Sequence, residues 1–201
     1  MGAYPVIGID LAGSENRDTG FCALYEDMDT VCLRLRSDRE IIRAVEVFGG
    51  RTIAVDAPLA LPKGRPSLEV VGPPHFRVCD LQLREMGIPF FPITLGPMRL
   101  LTKRGMALKE RLERRGLTVF ETYPGAAQDI LGIPRKRAGL ERMRASMKGL
   151  GFKGDVERKP TISGDELDAA ICAYVAKLYL ERDYLALGDP EEVLMILPRP
   201  R

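Results

Sequence analysis

Short apolar runs closed by polar turns alternate along this chain with stretches of helical period. Residues 4–11 (YPVIGIDL) read as a buried strand that stops at Ala12-Gly13-Ser14. Residues 20–25 (GFCALY) and 30–35 (TVCLRL) follow on either side of the turn-like EDMD, the pattern of an antiparallel meander. Ser37 and Glu40 form a capping box at the start of SDREIIRAVEVF, and Ile41, Ile42, Val45 and Phe48 share one face of that helix. Gly49-Gly50 ends it, and TIAVD returns as a fourth strand. A right-handed crossover places this strand parallel to the first and beside it.

Residues 57–75 hold five prolines and little periodicity. Two readings stay open for such a loop: a functional lid, or an excursion packed on the surface. A helical insertion is expected near 77–115, with one segment around FRVCDLQLREMG and a longer one from about Met98 to Arg115. LTVFE then forms a fifth strand, shorter helices follow near 125–131 and 137–149, and a long helix runs from about Gly164 to Arg182. VLMIL near the C-terminus reads as a short edge strand. The pattern predicts one α/β domain over residues 1–201. Its mixed sheet has about five strands, three antiparallel and then parallel additions, flanked by helices.

Composition narrows the class. A chain of 201 residues with 45% hydrophobic and 29% charged residues is long enough for one well-buried core. The longest apolar run, AAICAYVA, is too short to span a bilayer, and the N-terminus shows no secretory pattern, so no membrane partner is expected. Cys22, Cys32, Cys79 and Cys172 lack CxxC spacing and read as buried thiols of a reducing, cytoplasmic compartment. The single histidine, His75, leaves almost no material for histidine-based catalysis.

The acidic residues carry the chemistry. Asp10, Asp56 and Glu121 each close an apolar run, which presents a carboxylate at a strand end. Strands one and four lie about 4.8 Å apart, so Asp10 and Asp56 emerge side by side. Asp165 and Asp168 open the last helix. Asp165 falls in the capped first turn, where the helix dipole alone favours an acid, whereas Asp168 lies beyond it on the shoulder of the buried stripe. Oxygen ligands converging from separate segments suit a hard cation, Mg²⁺ or Mn²⁺, and imply chemistry on phosphate esters. Charge is also segregated. Residues 99–159 carry 16 Lys/Arg against 7 Asp/Glu, while both flanks are acidic. This is either a face for a polyanion or a set of solvated helices. Arg135, Lys136 and Arg137 are candidate backbone contacts for nucleic acid, DNA or RNA. Arg77, Asp80 and Arg84 recur at helical spacing, as phosphate ligands or as a structural ion-pair ladder.

Taken in order, GIDLAG, AVDAPLALP, RVCDLQLREMGIPFFP, ETYP and DELDAAICA resemble an uncharacterised family, number 429 among the domains of unknown function, described as predicted nucleases of the ribonuclease H fold. The resemblance spans nearly the whole chain. It implies a ribonuclease H-like fold, distantly similar to Holliday-junction and pre-ribosomal-RNA resolvases. It also implies metal ligands at Asp10, Asp56, Glu121 and Asp168, with Asp165 one turn earlier, serving a metal-dependent nuclease. Two rivals remain. A phosphotransferase of the actin and sugar-kinase type needs a second domain and a second Gly-rich phosphate loop. A non-catalytic scaffold of the same fold needs neither metal nor substrate turnover.

Overall fold

The computed structural model describes residues 4–200. Strands β1 (Val6–Asp10), β2 (Thr19–Leu24) and β3 (Thr30–Leu35) form the expected antiparallel meander. Strand β4 (Thr52–Asp56) lies parallel to β1, and β5 (Thr118–Thr122) lies parallel to β4. The sheet has seven strands rather than five, in the order β3-β2-β1-β4-β5-β7-β6. The C-terminal apolar run gives β7 (Met195–Pro198), which is not an edge: it sits between β5 and a new edge strand, β6 (Tyr184–Leu187). Strand β6 is hidden in the sequence because it follows the last helix after two residues. That helix ends on Arg182 in the left-handed conformation (φ 61°), without the glycine that usually marks such a stop.

Helices cover both faces. Helix α1 (Asp38–Phe48) has the predicted capping box. With α3 (Gly96–Glu113) it buries Ile41, Val45, Leu108 and Leu112 against Ile7, Ile9, Ile53 and Val55. Each such side chain removed from water stabilises the fold by about 1.5–3 kcal/mol. A smaller cluster joins α2 (Val78–Glu85) to β6 and β7 through Cys79, Leu83, Leu187 and Leu197.

On the opposite face lie α4 (Pro124–Leu131), α5 (Leu140–Gly149), the short α6 (Asp155–Arg158) and α7 (Gly164–Glu181). Helix α7 runs directly over β1 and β2. A Cβ on Gly8 would stand 2.0 Å from the carbonyl oxygen of Ala169, and one on Gly20 would stand 1.9 Å from that of Asp165. Only glycine permits this approach of helix backbone to strand backbone. The paired small residues, Gly8 and Gly20 below and Ala169 and Ala173 above, thus fix where the acids of α7 sit relative to the end of β1.

The proline-rich segment is a packed excursion. Leu59 and Leu68 are buried, the Lys63 amide donates to Glu192 Oε1 (2.6 Å), and the Arg65 guanidinium donates to the carbonyls of Gly72 and Pro74 (2.7 and 3.0 Å). All four cysteines are buried and free. Among the described residues no helix is long and apolar enough to cross a membrane.

Candidate functional site

Asp10 and Asp56 are register partners at the C-terminal ends of β1 and β4. Partners in adjacent parallel strands share a face of the sheet, and here it is the face under α7. Asp168 descends from α7 toward the same point, and Asp165 lies one turn earlier at the rim. The side chains of Asp10 and Asp168 are 16% and 9% exposed, against 44% for Asp165, so the first two form the floor of the cluster. Asp168 Oδ1 accepts from Gln128 Nε2 on α4 (2.6 Å).

Among the described residues one cation serves this cluster. Lys136, in a 3-10 turn at Lys136–Ala138, places Nζ 2.9 Å from Asp165 Oδ1, 2.9 Å from Asp168 Oδ2 and 3.9 Å from Asp10 Oδ2. A single ammonium does not neutralise the set. Burial, followed by the charge of Asp168, pushes the Asp10 carboxyl up to about 8 against the pull of Lys136. Burial and then Asp10 and Asp168 hold Asp56 well above the carboxylate range. Burial also raises Asp168, opposed by Lys136 and Gln128. Burial works against the charge of Lys136, but Asp168 and Asp10 outweigh it and raise the ammonium above its ordinary value. Buried, mutually repelling carboxylates retain protons that a cation would replace.

Glu121 stands on the other side of the strand end, where its charge still adds to the rise of Asp56. The expectation treated it as a strand-ending acid, but β5 continues one residue further. Thr122 partners Asp56, while Glu121 partners Val55 and points to the other face. There it is bidentate with Arg77 (2.5 and 2.8 Å) and accepts from the Leu59 amide (2.8 Å). Arg77 also donates to Asp80 (2.8 and 3.2 Å). Both Arg77 and Glu121 are buried, so this pair is a structural ion pair, and both border the cavity beside Asp56.

The other basic candidates are dispersed. Exposed Arg84 stacks on Phe76, 4.4 Å from the ring centroid. Arg135 is paired with Asp129 (3.0 and 2.5 Å). Arg137 is exposed and makes no ion pair among the described residues. Part of the basic middle segment is structural. Arg104, 9% exposed, donates to Asp38 (2.8 Å) and to the carbonyls of Ala12 (2.7 Å) and Arg36 (2.5 Å), pinning the loop after β1 to the start of α1. Sequence reading overlooked Gln128 and Arg104. A lone amide on the buried side of GAAQDIL was the available signal for Gln128, whereas Arg104 is indistinguishable from its basic neighbours.

Beside Asp56 opens a cavity of about 250 Å³ lined by Pro58, Leu83, Phe90, Phe91, Leu101 and Tyr123 among others. Among the described residues no three His, Cys, Asp or Glu side chains stand ready to hold an ion as they are placed. Lys136 lies between the acids instead. Their donors nevertheless suit a hard divalent ion: all are carboxylate oxygens, at least two of them largely buried and incompletely neutralised.

The family model described as protein of unknown function (DUF429) matches residues 8–192. No curated protein matches the chain.

Proposed function

The chain belongs to that family, and we propose that it is a divalent-metal-dependent nuclease of ribonuclease H-like fold that hydrolyses phosphodiester bonds of nucleic acid. One observation carries this proposal: Asp10, Asp56 and Asp168, far apart in sequence, meet on one face of the sheet with their carboxyls held above their ordinary pKa. The strand order β3-β2-β1-β4-β5, antiparallel and then parallel, supports the ribonuclease H-like reading.

Asp10, Asp56 and Asp168 would hold Mg²⁺ or Mn²⁺, with Asp165 at the rim. When bound, such an ion supplies charge stabilisation at the phosphoryl oxygens and an acidified water. The remaining tasks fall to the chain. Gln128 fixes one oxygen of Asp168 and so orients the other toward the cluster. Arg104 holds the loop after β1, and with it the position of Asp10. Arg137 is available to meet the polyanion, and Lys136 lies where a scissile phosphate would have to approach. Arg77 and Glu121 brace the neighbouring strand end without touching substrate.

The test is hydrolysis of labelled single-stranded, duplex and branched DNA and RNA in Mg²⁺ or Mn²⁺, with Asp10→Asn as control. Cleavage that chelator and Asp10→Asn both abolish supports a nuclease. Cleavage that survives either one contradicts it. The internal pairing of Lys136 with the acids favours one alternative, a non-catalytic scaffold of the same fold. Absence of divalent-ion binding at any concentration would decide for the scaffold.

A further inference from the structure

Lys136 sits where the proposed cation would sit. Its ammonium reaches Asp165, Asp168 and Asp10 at 2.9, 2.9 and 3.9 Å, and it is the only cation within ion-pair distance of these three acids among the described residues. Its side chain is 48% exposed while those of Asp10 and Asp168 are largely buried, so it enters from solvent and covers them. It is carried on a three-residue turn between α4 and α5, followed by Gly139 in a conformation with φ 108°. Lysine is a compact charge on a flexible four-carbon stem. A bound ammonium and a divalent ion compete for the same carboxylate oxygens, and their charges repel at this range.

Resting on the metal-site reading above, we infer that Lys136 is an internal counter-ion that competes with the divalent cation for Asp168 and Asp10, so that metal enters only as the lysine withdraws. The resting site is partly neutralised from within, and its metal affinity is set by the strength of the lysine contacts. Three ion-pair partners on one ammonium make withdrawal unfavourable. Removing the charge while keeping the stem should therefore tighten metal binding. A gain of about 5-fold or more is expected, the lower end of the 5- to 150-fold range typical of couplings between bound ligands.

The experiment measures Mn²⁺ binding to the full chain by isothermal titration calorimetry, comparing the wild type with Lys136→Met, Lys136→Arg and Asp10→Asn. Circular dichroism confirms that each variant is folded. Lys136→Met should bind Mn²⁺ at least about 5-fold more tightly than the wild type. Lys136→Arg, which keeps a cation in place, should not show this gain. Equal or weaker Mn²⁺ affinity in Lys136→Met, with wild-type binding that Asp10→Asn abolishes, would leave the metal site standing and overturn the role of Lys136. Lack of Mn²⁺ binding by the wild type and by Lys136→Met would overturn both readings.

Discussion

Replacing Asp10 with Asn should stabilise the protein and abolish its response to metal. Asn keeps the shape, but it removes a carboxyl that burial and Asp168 raise from 3.8 to about 8. In the wild type, between those two values, the folded chain keeps a proton that the unfolded chain releases. Stability therefore falls as pH rises through that window, by at most about 1.4 kcal/mol per pH unit from this group. At pH 7 the accumulated loss is about 4 kcal/mol as an upper limit, reduced because Asp56 and Asp168 share the repulsion. Asp10→Asn should recover on the order of 1–4 kcal/mol, at about 2–4 °C of Tm per kcal/mol for a chain of this size. Thermal unfolding in chelator at pH 5 and pH 8 measures it: the variant should have the higher Tm and the flatter pH dependence. Saturating Mn²⁺ at 100 times Kd should stabilise the wild type by about 2.7 kcal/mol, and the variant not at all. A variant that melts lower than wild type in chelator with the same pH slope, or that gains equally from Mn²⁺, refutes the reasoning.

Gly8→Ala drives a methyl to within 2.0 Å of the Ala169 carbonyl oxygen, so α7 must lift. This should cost about 1–3 kcal/mol and weaken Mn²⁺ binding, whereas Gly96→Ala, with nothing within 4 Å, should do neither in denaturant melts and Mn²⁺ titrations. Glu121→Gln leaves Arg77 partly unpaired in the interior and should cost about 3–5 kcal/mol by chemical unfolding, yet Mn²⁺ should still stabilise the protein because both Glu121 oxygens are engaged by Arg77. Arg137→Ala should lower the slope of log affinity against log salt by about 0.7 for single strands or about 0.9 for duplex, measured by fluorescence anisotropy; an unchanged slope would remove it from the interface.

Local period and one topological rule carried much of this structure. Short apolar runs bounded by turns marked β1 to β5, and the crossover rule then put Asp10 beside Asp56. The helical stripe of α7 distinguishes Asp168 from Asp165, and their exposures follow that order. What escaped was set by single residues or by tertiary placement. Glu121 changed face because β5 runs one residue past it, a difference smaller than any boundary readable from sequence. Lys136 was assigned to a polyanion because it sits between two arginines. Its position over the acids is decided by how α4 and α5 dock on α7, which no local pattern encodes. Strand β6 carries no readable signal of its own because it has four residues and starts two residues after α7.

The most direct measurement is a crystal structure of the protein grown or soaked in Mn²⁺, with anomalous data at the manganese edge. The account predicts an anomalous peak bounded by carboxylate oxygens of Asp10, Asp56 and Asp168, with Glu121 still on Arg77 and the Lys136 ammonium withdrawn from Asp168. A site without manganese at saturating concentration, with Lys136 still seated on Asp165 and Asp168, would contradict it.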